Sequence, residues 1–148
     1  MEPSVLTGEY AHNLDPKRRL SIPARLRKEL GSGAVLTRGL DTCLFVFPLK
    51  DWQTLSAKLA ALPIGQQDSR AFARLMVSGA SPVQFDSLGR ILVPEYLAAY
   101  ARLEREVVIT GVLTRLEVWD ARNWESYKRR LEKDSDRIAE KLGGLGVI

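Results

Sequence analysis

Residues 13–26 read Asn-Leu-Asp-Pro-Lys-Arg-Arg-Leu-Ser-Ile-Pro-Ala-Arg-Leu, and residues 84–97 read Gln-Phe-Asp-Ser-Leu-Gly-Arg-Ile-Leu-Val-Pro-Glu-Tyr-Leu. Set against each other, they match Asp15 with Asp86, Arg19 with Arg90, Pro23 with Pro94 and Leu26 with Leu97, all at a spacing of 71. Further along the spacing becomes 72, and Gly39, Thr42, Leu44, Val46, Trp52 and Leu59 meet Gly111, Thr114, Leu116, Val118, Trp124 and Leu131. One inserted residue is an ordinary loop change, and this many identities in order, one of them a pair of tryptophans, are not coincidence. The chain is a tandem repeat, and self-similarity outranks any local propensity as a guide to the fold.

Both copies predict the same order of elements. Segments 5–14 and 80–86 lead into a short polar Asp-x-x-x-Arg stretch. Arg19-Leu-Ser-Ile and Arg90-Ile-Leu-Val then read as strands, stopped by prolines that cannot continue a ladder and that suit the start of a helix. Short helices are expected over 24–30 and 95–102, the first ended by Gly31. Ala34-Val-Leu-Thr with Leu44-Phe-Val-Phe, and Val107-Val-Ile-Thr with Leu116-Glu-Val-Trp, are β-branched and aromatic runs divided by Gly39 or Gly111, the pattern of hairpins. A longer helix closes each copy, roughly 49–61 and 121–142, with Trp52, Leu55 and Leu59, and Trp124, Tyr127 and Leu131, at helical spacing. Pro63-Ile-Gly breaks the chain, and 67–77 predicts a linking helix bearing Phe72, Leu75 and Met76. The division that follows is 5–62, 63–79, 80–142 and a tail over 143–148, expected to fray or to be held by a neighbouring subunit. Copies of this size are marginal alone, so the two are expected to share one core rather than fold as separate beads.

Composition narrows what such a chain does. It has 148 residues, 45% of them hydrophobic and 27% charged, the balance of a globular protein. No apolar run approaches the roughly 18 residues of a membrane span, and the N-terminus lacks a signal pattern, so a soluble, unprocessed, cytoplasmic chain is expected. Cys43 and His12 are the sole residues of their types, which excludes a disulfide framework and the usual zinc sets. Phosphate-binding, dinucleotide and metalloprotease motifs are missing. The carboxylates Asp134 and Asp136 sit in a mixed-charge helical tail, where Arg129, Arg130 and Lys133 neighbour Glu125 and Glu132. No catalytic residue, cofactor, metal or small-molecule substrate is expected.

The informative feature is an inequality between the copies. Of residues 17–28, six are basic (Lys17, Arg18, Arg19, Arg25, Arg27 and Lys28) and none is acidic, whereas 88–99 holds Arg90 and Glu95 alone. Both windows must supply one fold, so the surplus charge suggests a polyanionic partner rather than a folding need. DNA fits: lysines and arginines release condensed counterions from phosphates, and arginine presents a two-pronged fork to a guanine edge. Ion pairing is the competing role. Asp15 and Asp86 are better read as turn caps and internal partners than as phosphate neighbours. Arg90 suits pairing with Asp86 and DNA contact equally, and Arg25 suits an exposed helix face. His12 is expected at the surface, and Trp52 and Trp124 as anchors of the closing helices.

Asp15-Pro-Lys-Arg-Arg-Leu-Ser-Ile-Pro and Asp86-Ser-Leu-Gly-Arg-Ile-Leu-Val-Pro resemble the signature of AbrB-like swapped-hairpin domains. With two copies in one chain, and Phe72-Ala-Arg-Leu-Met-Val-Ser-Gly-Ala between them, the sequence is similar to the MraZ family of bacterial transcriptional regulators from about Gly8 to Leu142. The resemblance implies an α+β, β-rich fold in which the tandem repeats form one pseudo-dimeric β-barrel with peripheral helices. It also implies a ring-like homo-oligomer, nucleoid association, and double-stranded DNA carrying promoter repeats of the division and cell-wall gene cluster as partner. Arg19, Arg27 and Lys28 match positions that contact DNA in AbrB-like domains, and Arg90 is the second copy's equivalent of Arg19. Lys17 and Arg18 complete the expected DNA-binding set. One departure stands out: Gly89, suited to a positive φ, is replaced by Arg18 in the first copy, leaving that turn either different or strained. A scaffold whose basic loop binds an acidic protein is the alternative. RNA is less favoured, because the basic window has no stacking aromatics.

Overall fold

The computed structural model describes residues 6–147; Val5 and Ile148, the outer limits of the first segment and of the tail, lie outside the described residues. The elements run β1 (Glu9–Asn13), β2 (Arg19–Ser21), α1 (Ala24–Leu30), β3 (Ala34–Arg38), β4 (Leu44–Pro48), α2 (Leu49–Ala60) and α3 (Gln67–Ser78). The second repeat follows with β5 (Ser81–Val83), β6 (Arg90–Leu92), α4 (Glu95–Tyr100), β7 (Glu106–Gly111), β8 (Leu116–Asp120), α5 (Ala121–Lys133) and α6 (Ser135–Gly143). Pro23, Pro48 and Pro94 each stand at a helix N-cap, converting the end of a strand or strand-like run into a helix start.

The repeats do not fold as beads. β1 of the first copy pairs with β7 of the second, and β5 of the second pairs with β3 of the first. Between these exchanges β4 joins β8, giving the antiparallel order β1-β7-β8-β4-β3-β5. Interchanging the copies turns that order into its own reverse, so a pseudo-two-fold axis passes between β4 and β8. The same axis crosses a separate two-stranded ribbon of β2 and β6, where Leu20 stands opposite Ile91. The hydrogen-bonded ladder is open, with β1 and β5 as its edges among the described residues, and the ribbon forms a second sheet. The architecture is thus a mixed α+β, two-repeat fold with a six-stranded sheet, whose ladder does not close into the pseudo-dimeric β-barrel expected.

One core serves both repeats. Leu20, Ile22, Leu26, Leu36, Leu44 and Val46 meet Ile91, Val93, Leu97, Ile109, Leu116 and Val118, all nearly excluded from solvent. Each contributes about 1.5–3 kcal/mol by burial, stabilisation that neither copy could collect alone. On the opposite face of the sheet a second cluster gathers Cys43, Phe45, Phe47, Leu59, Met76 and Trp119, flanked by Trp52, Leu55, Trp124 and Tyr127. Trp52 and Trp124 therefore anchor α2 and α5 as their recurrence suggested. Among the described residues no helix is long and apolar enough to cross a membrane.

Two boundaries differ from expectation. The closing helix of the second copy is broken at Asp134 (φ −98°, ψ 9°), which ends α5 and starts α6. Aspartate followed by serine competes for backbone hydrogen bonds and favours caps over helix interior. α4 stops at Tyr100, just before Arg102 takes a left-handed φ of 54°.

Candidate nucleic-acid interface

The Asp-x-x-x-Arg stretches are two copies of one turn. Asp15 Oδ1 accepts from the backbone N–H groups of Lys17 (2.9 Å) and Arg19 (2.7 Å). Asp86 Oδ1 does the same for Leu88 and Arg90, both at 2.9 Å. The fourth residue closes each turn onto the aspartate carbonyl, Arg18 N–H at 2.8 Å and Gly89 N–H at 3.0 Å. Both fourth residues are left-handed, Arg18 at φ 59° and Gly89 at φ 75°. The first turn is therefore not different; it keeps the same geometry with an arginine where glycine would sit unstrained, at a cost of about 1–2 kcal/mol.

That strain has identifiable compensation. The Arg18 carbonyl accepts from Val93 N–H at 2.8 Å, and Arg18 Nε donates to the Val93 carbonyl at 3.1 Å, so the turn of one repeat is tied to the strand end of the other. The pseudo-symmetric carbonyl, Ile22 O, is satisfied by Arg27 Nη1 at 3.0 Å. Two equivalent carbonyls are thus served by arginines from two different positions, one crossing the axis and one within its own repeat. Part of the first copy's surplus charge, expected to serve a partner rather than the fold, therefore does serve the fold. Arg18 and Arg27 both satisfy backbone acceptors, which is worth more than leaving them desolvated.

Arg19 and Arg90 are held identically. Asp15 Oδ2 accepts from Arg19 Nε at 2.7 Å, and Asp86 Oδ2 from Arg90 Nε at 2.8 Å. Their side chains are 37% and 26% exposed. Among the described residues neither arginine engages its terminal Nη groups in a hydrogen bond. The carboxylate thus occupies the Nε side of each guanidinium; of the two roles open for Arg90, pairing with Asp86 is present, and it leaves the Nη groups without a hydrogen bond among the described residues. Both aspartates titrate below the usual carboxylate range, chiefly because the backbone N–H of Arg19 or Arg90 binds the ionised form, opposed by partial burial and aided by the arginine side chain.

The remaining expected residues lie around this ribbon. Lys17 and Lys28 are exposed, and neither ammonium reaches a partner among the described residues. Arg25 is exposed but bound: it donates to Tyr10 Oη at 2.6 Å and to Thr7 Oγ1 at 2.8 Å. His12 lies half-buried on β1 opposite Val107. No cluster of histidine, cysteine and carboxylates suited to a metal ion occurs among the described residues. Leu88 and Leu92, absent from the expected set, are 68% and 60% exposed beside these arginines. In the run Ile91-Leu92-Val93 composition alone does not say which side chain turns outward.

The family model of the MraZ protein matches the chain twice, over residues 5–75 and 76–143. The chain belongs to the MraZ family. Among its relatives is a protein of Pelotomaculum thermopropionicum, 49% identical over 143 residues, covering 97% of this chain and 99% of the relative. A second, from Acetivibrio thermocellus, is 48% identical over 140 residues, covering 95% and 98%. A third, from Halothermothrix orenii, is 46% identical over 143 residues, covering 97% and 100%. All three carry the name transcriptional regulator MraZ, so this family is one of regulators and not of enzymes. The two MraZ matches meet at 75 and 76, inside α3, whereas the exchange of β1 and β5 makes the two halves one folded body.

Proposed function

We propose that the chain is a sequence-specific DNA-binding transcriptional regulator that docks its β2–β6 ribbon into the major groove. The observation that carries this is the pair Arg19 and Arg90, each clamped through Nε by an aspartate and with neither Nη group hydrogen-bonded among the described residues. A two-stranded ribbon is of a size that the groove admits, and an arginine fork matches guanine O6 and N7. Lys17 and Lys28 supply phosphate contacts, and Arg18 and Arg27 add positive potential while tying the turns in place. The first copy, with the larger charge, dominates affinity. The relatives named as transcriptional regulators support the same reading.

The finer reading is what the resemblance to MraZ regulators implies for this chain. The targets are promoter repeats of the division and cell-wall gene cluster, read in the cytoplasm by a nucleoid-associated, ring-like homo-oligomer. One ribbon makes few contacts, so several presented together would multiply affinity through effective concentration. Exposed apolar side chains away from the ribbon, including Leu40, Ile64 and Leu113, support association between copies.

Retardation of a promoter fragment against a scrambled fragment, across a salt series, tests the proposal. Cognate DNA is expected to bind about 10³-fold more tightly or better. Equal retention of both fragments at every salt concentration would remove sequence specificity from the account. Gel filtration with light scattering tests the ring.

A further inference from the structure

The ribbon has an inner and an outer face. Leu20 and Ile91 are buried at its centre, so the alternate residues Arg19, Ser21, Arg90 and Leu92 form the outer face. Cross-strand register sets Arg19 opposite Leu92 and Ser21 opposite Arg90. Three of these four residues are polar. Leu92 is 60% exposed, and its pseudo-equivalent in the first copy is Ser21. Leu88, at the tip of the second turn, is 68% exposed where the first copy has Lys17. Neither leucine helps the core, and each holds apolar surface in water between or beside cationic side chains.

We propose that Leu92 is a specificity-determining residue that packs on thymine C5-methyl groups in the major groove, next to the base pair read by Arg19. This rests on the DNA-binding reading above. Side chains directly opposite on an antiparallel pair have Cβ atoms about 5 Å apart. Successive bases on a strand rise about 3.4 Å. A fork at Arg19 and an apolar tip at Leu92 therefore span one or two base-pair steps. The major-groove edge of thymine combines an O4 acceptor with a methyl group, and the methyl group is the one apolar feature in the groove. An exposed leucine between two arginine forks gains from that group what a serine at the same place would not. The partner is fixed by charge: the flanking Arg19, Arg90 and Lys17 favour a polyanion over an apolar protein surface.

The test uses the full chain and the DNA it selects from a random-sequence pool, so no operator need be known. Each thymine in the selected site is replaced in turn by deoxyuridine, which removes only the methyl group. For the native chain, one or two positions are expected to lose about four-fold in affinity per methyl removed. The Leu92→Ser variant, which makes the outward residues of the two strands alike, is expected to fold with an unchanged thermal midpoint and to bind thymine and deoxyuridine sites equally. If the native chain selects a site but ignores every deoxyuridine substitution, or if Leu92→Ser retains the discrimination, the role of Leu92 is overturned while DNA binding stands. If Leu92→Ser changes the number of subunits and leaves thymine preference intact, Leu92 belongs to a subunit contact and the inference is again overturned. If the native chain selects no sequence, the DNA-binding reading itself falls, and with it this one.

Discussion

Arg27 and Gly89 compete for the same space across the pseudo-two-fold axis: a Cβ on Gly89 would come to 2.0 Å from Arg27 Nη1, the nitrogen that donates to the Ile22 carbonyl. This contact gives one of the first copy's surplus arginines, Arg27, a structural partner that charge counting alone does not reveal. An arginine at the helix position of one repeat is accommodated by a glycine in the turn of the other. In the second repeat Ala98 stands at the helix position, and its partner turn carries Arg18, whose Nε serves the Val93 carbonyl instead.

Gly89→Ala should therefore destabilise the fold by about 1–2 kcal/mol, from a left-handed φ imposed on an L side chain, and should also displace Arg27. The second effect makes the two positions coupled. In chemical denaturation, Gly89→Ala combined with Arg27→Ala is expected to cost less than the two single changes added together. Strict additivity would show that Arg27 is indifferent to what stands at 89.

Arg19→Ala is expected to leave the denaturation midpoint nearly unchanged and to weaken binding to a selected site by about 1–3 kcal/mol per recognition unit, relaxing preference at one base pair. Asp15→Asn should retain the cation but loosen its orientation, since the amide no longer offers a charged partner to Nε. Its loss of affinity should be smaller than that of Arg19→Ala. Titrations at matched salt, with circular dichroism as the fold control, rank the two.

Lys17 and Lys28 offer their ammonium groups to solvent and should act on phosphates. Replacing either with alanine should lower the slope of log affinity against log salt by about one. Sequence preference should survive. A change in the selected site without a change in slope would move that lysine from phosphate to base contact.

Acid should unlock both turns. Asp15 and Asp86 have folded pKa values below their unfolded value of about 3.9, held down first by the Arg19 and Arg90 backbone N–H groups. The stabilisation they bring is therefore complete above that unfolded value and is lost as pH falls through the lowered folded values. The thermal midpoint of the native chain should fall over that acidic window. The Asp15→Asn, Asp86→Asn double variant should start lower and show a flatter acid limb.

Cys43 should be inert in the native state. Its thiol is buried and donates to the Leu40 carbonyl at 3.1 Å, and burial pushes its pKa strongly upward, so little thiolate forms. A thiol reagent is expected to label it only in denaturant. Rapid labelling of folded protein would show that the aromatic face around it opens readily.

Much of the local structure was legible in the chain. Pro23 and Pro94 marked where strands become helices, Gly39 and Gly111 divided hairpins, and tryptophans at matching positions located α2 and α5. Asp15 and Asp86 were readable as turn caps because an aspartate followed by a two- or three-residue turn has a short-range mechanism. The break at Asp134 was less legible, since apolar spacing continues through it and only local hydrogen-bond competition interrupts the helix.

What sequence alone determined was the repeat, its element order and the charge inequality, because each depends on residues a few positions apart or on simple comparison of the two copies. Tertiary structure decided the exchange of β1 and β5, the left-handed Arg18, the shared space of Arg27 and Gly89, and the outward turn of Leu92. These depend on pairings across about seventy residues, where backbone carbonyls at Ile22 and Val93 must find donors and the burial of Leu20 against Ile91 settles which ribbon face meets water. Local periodicity carries no record of such partners. They arise when two marginal halves close around one core.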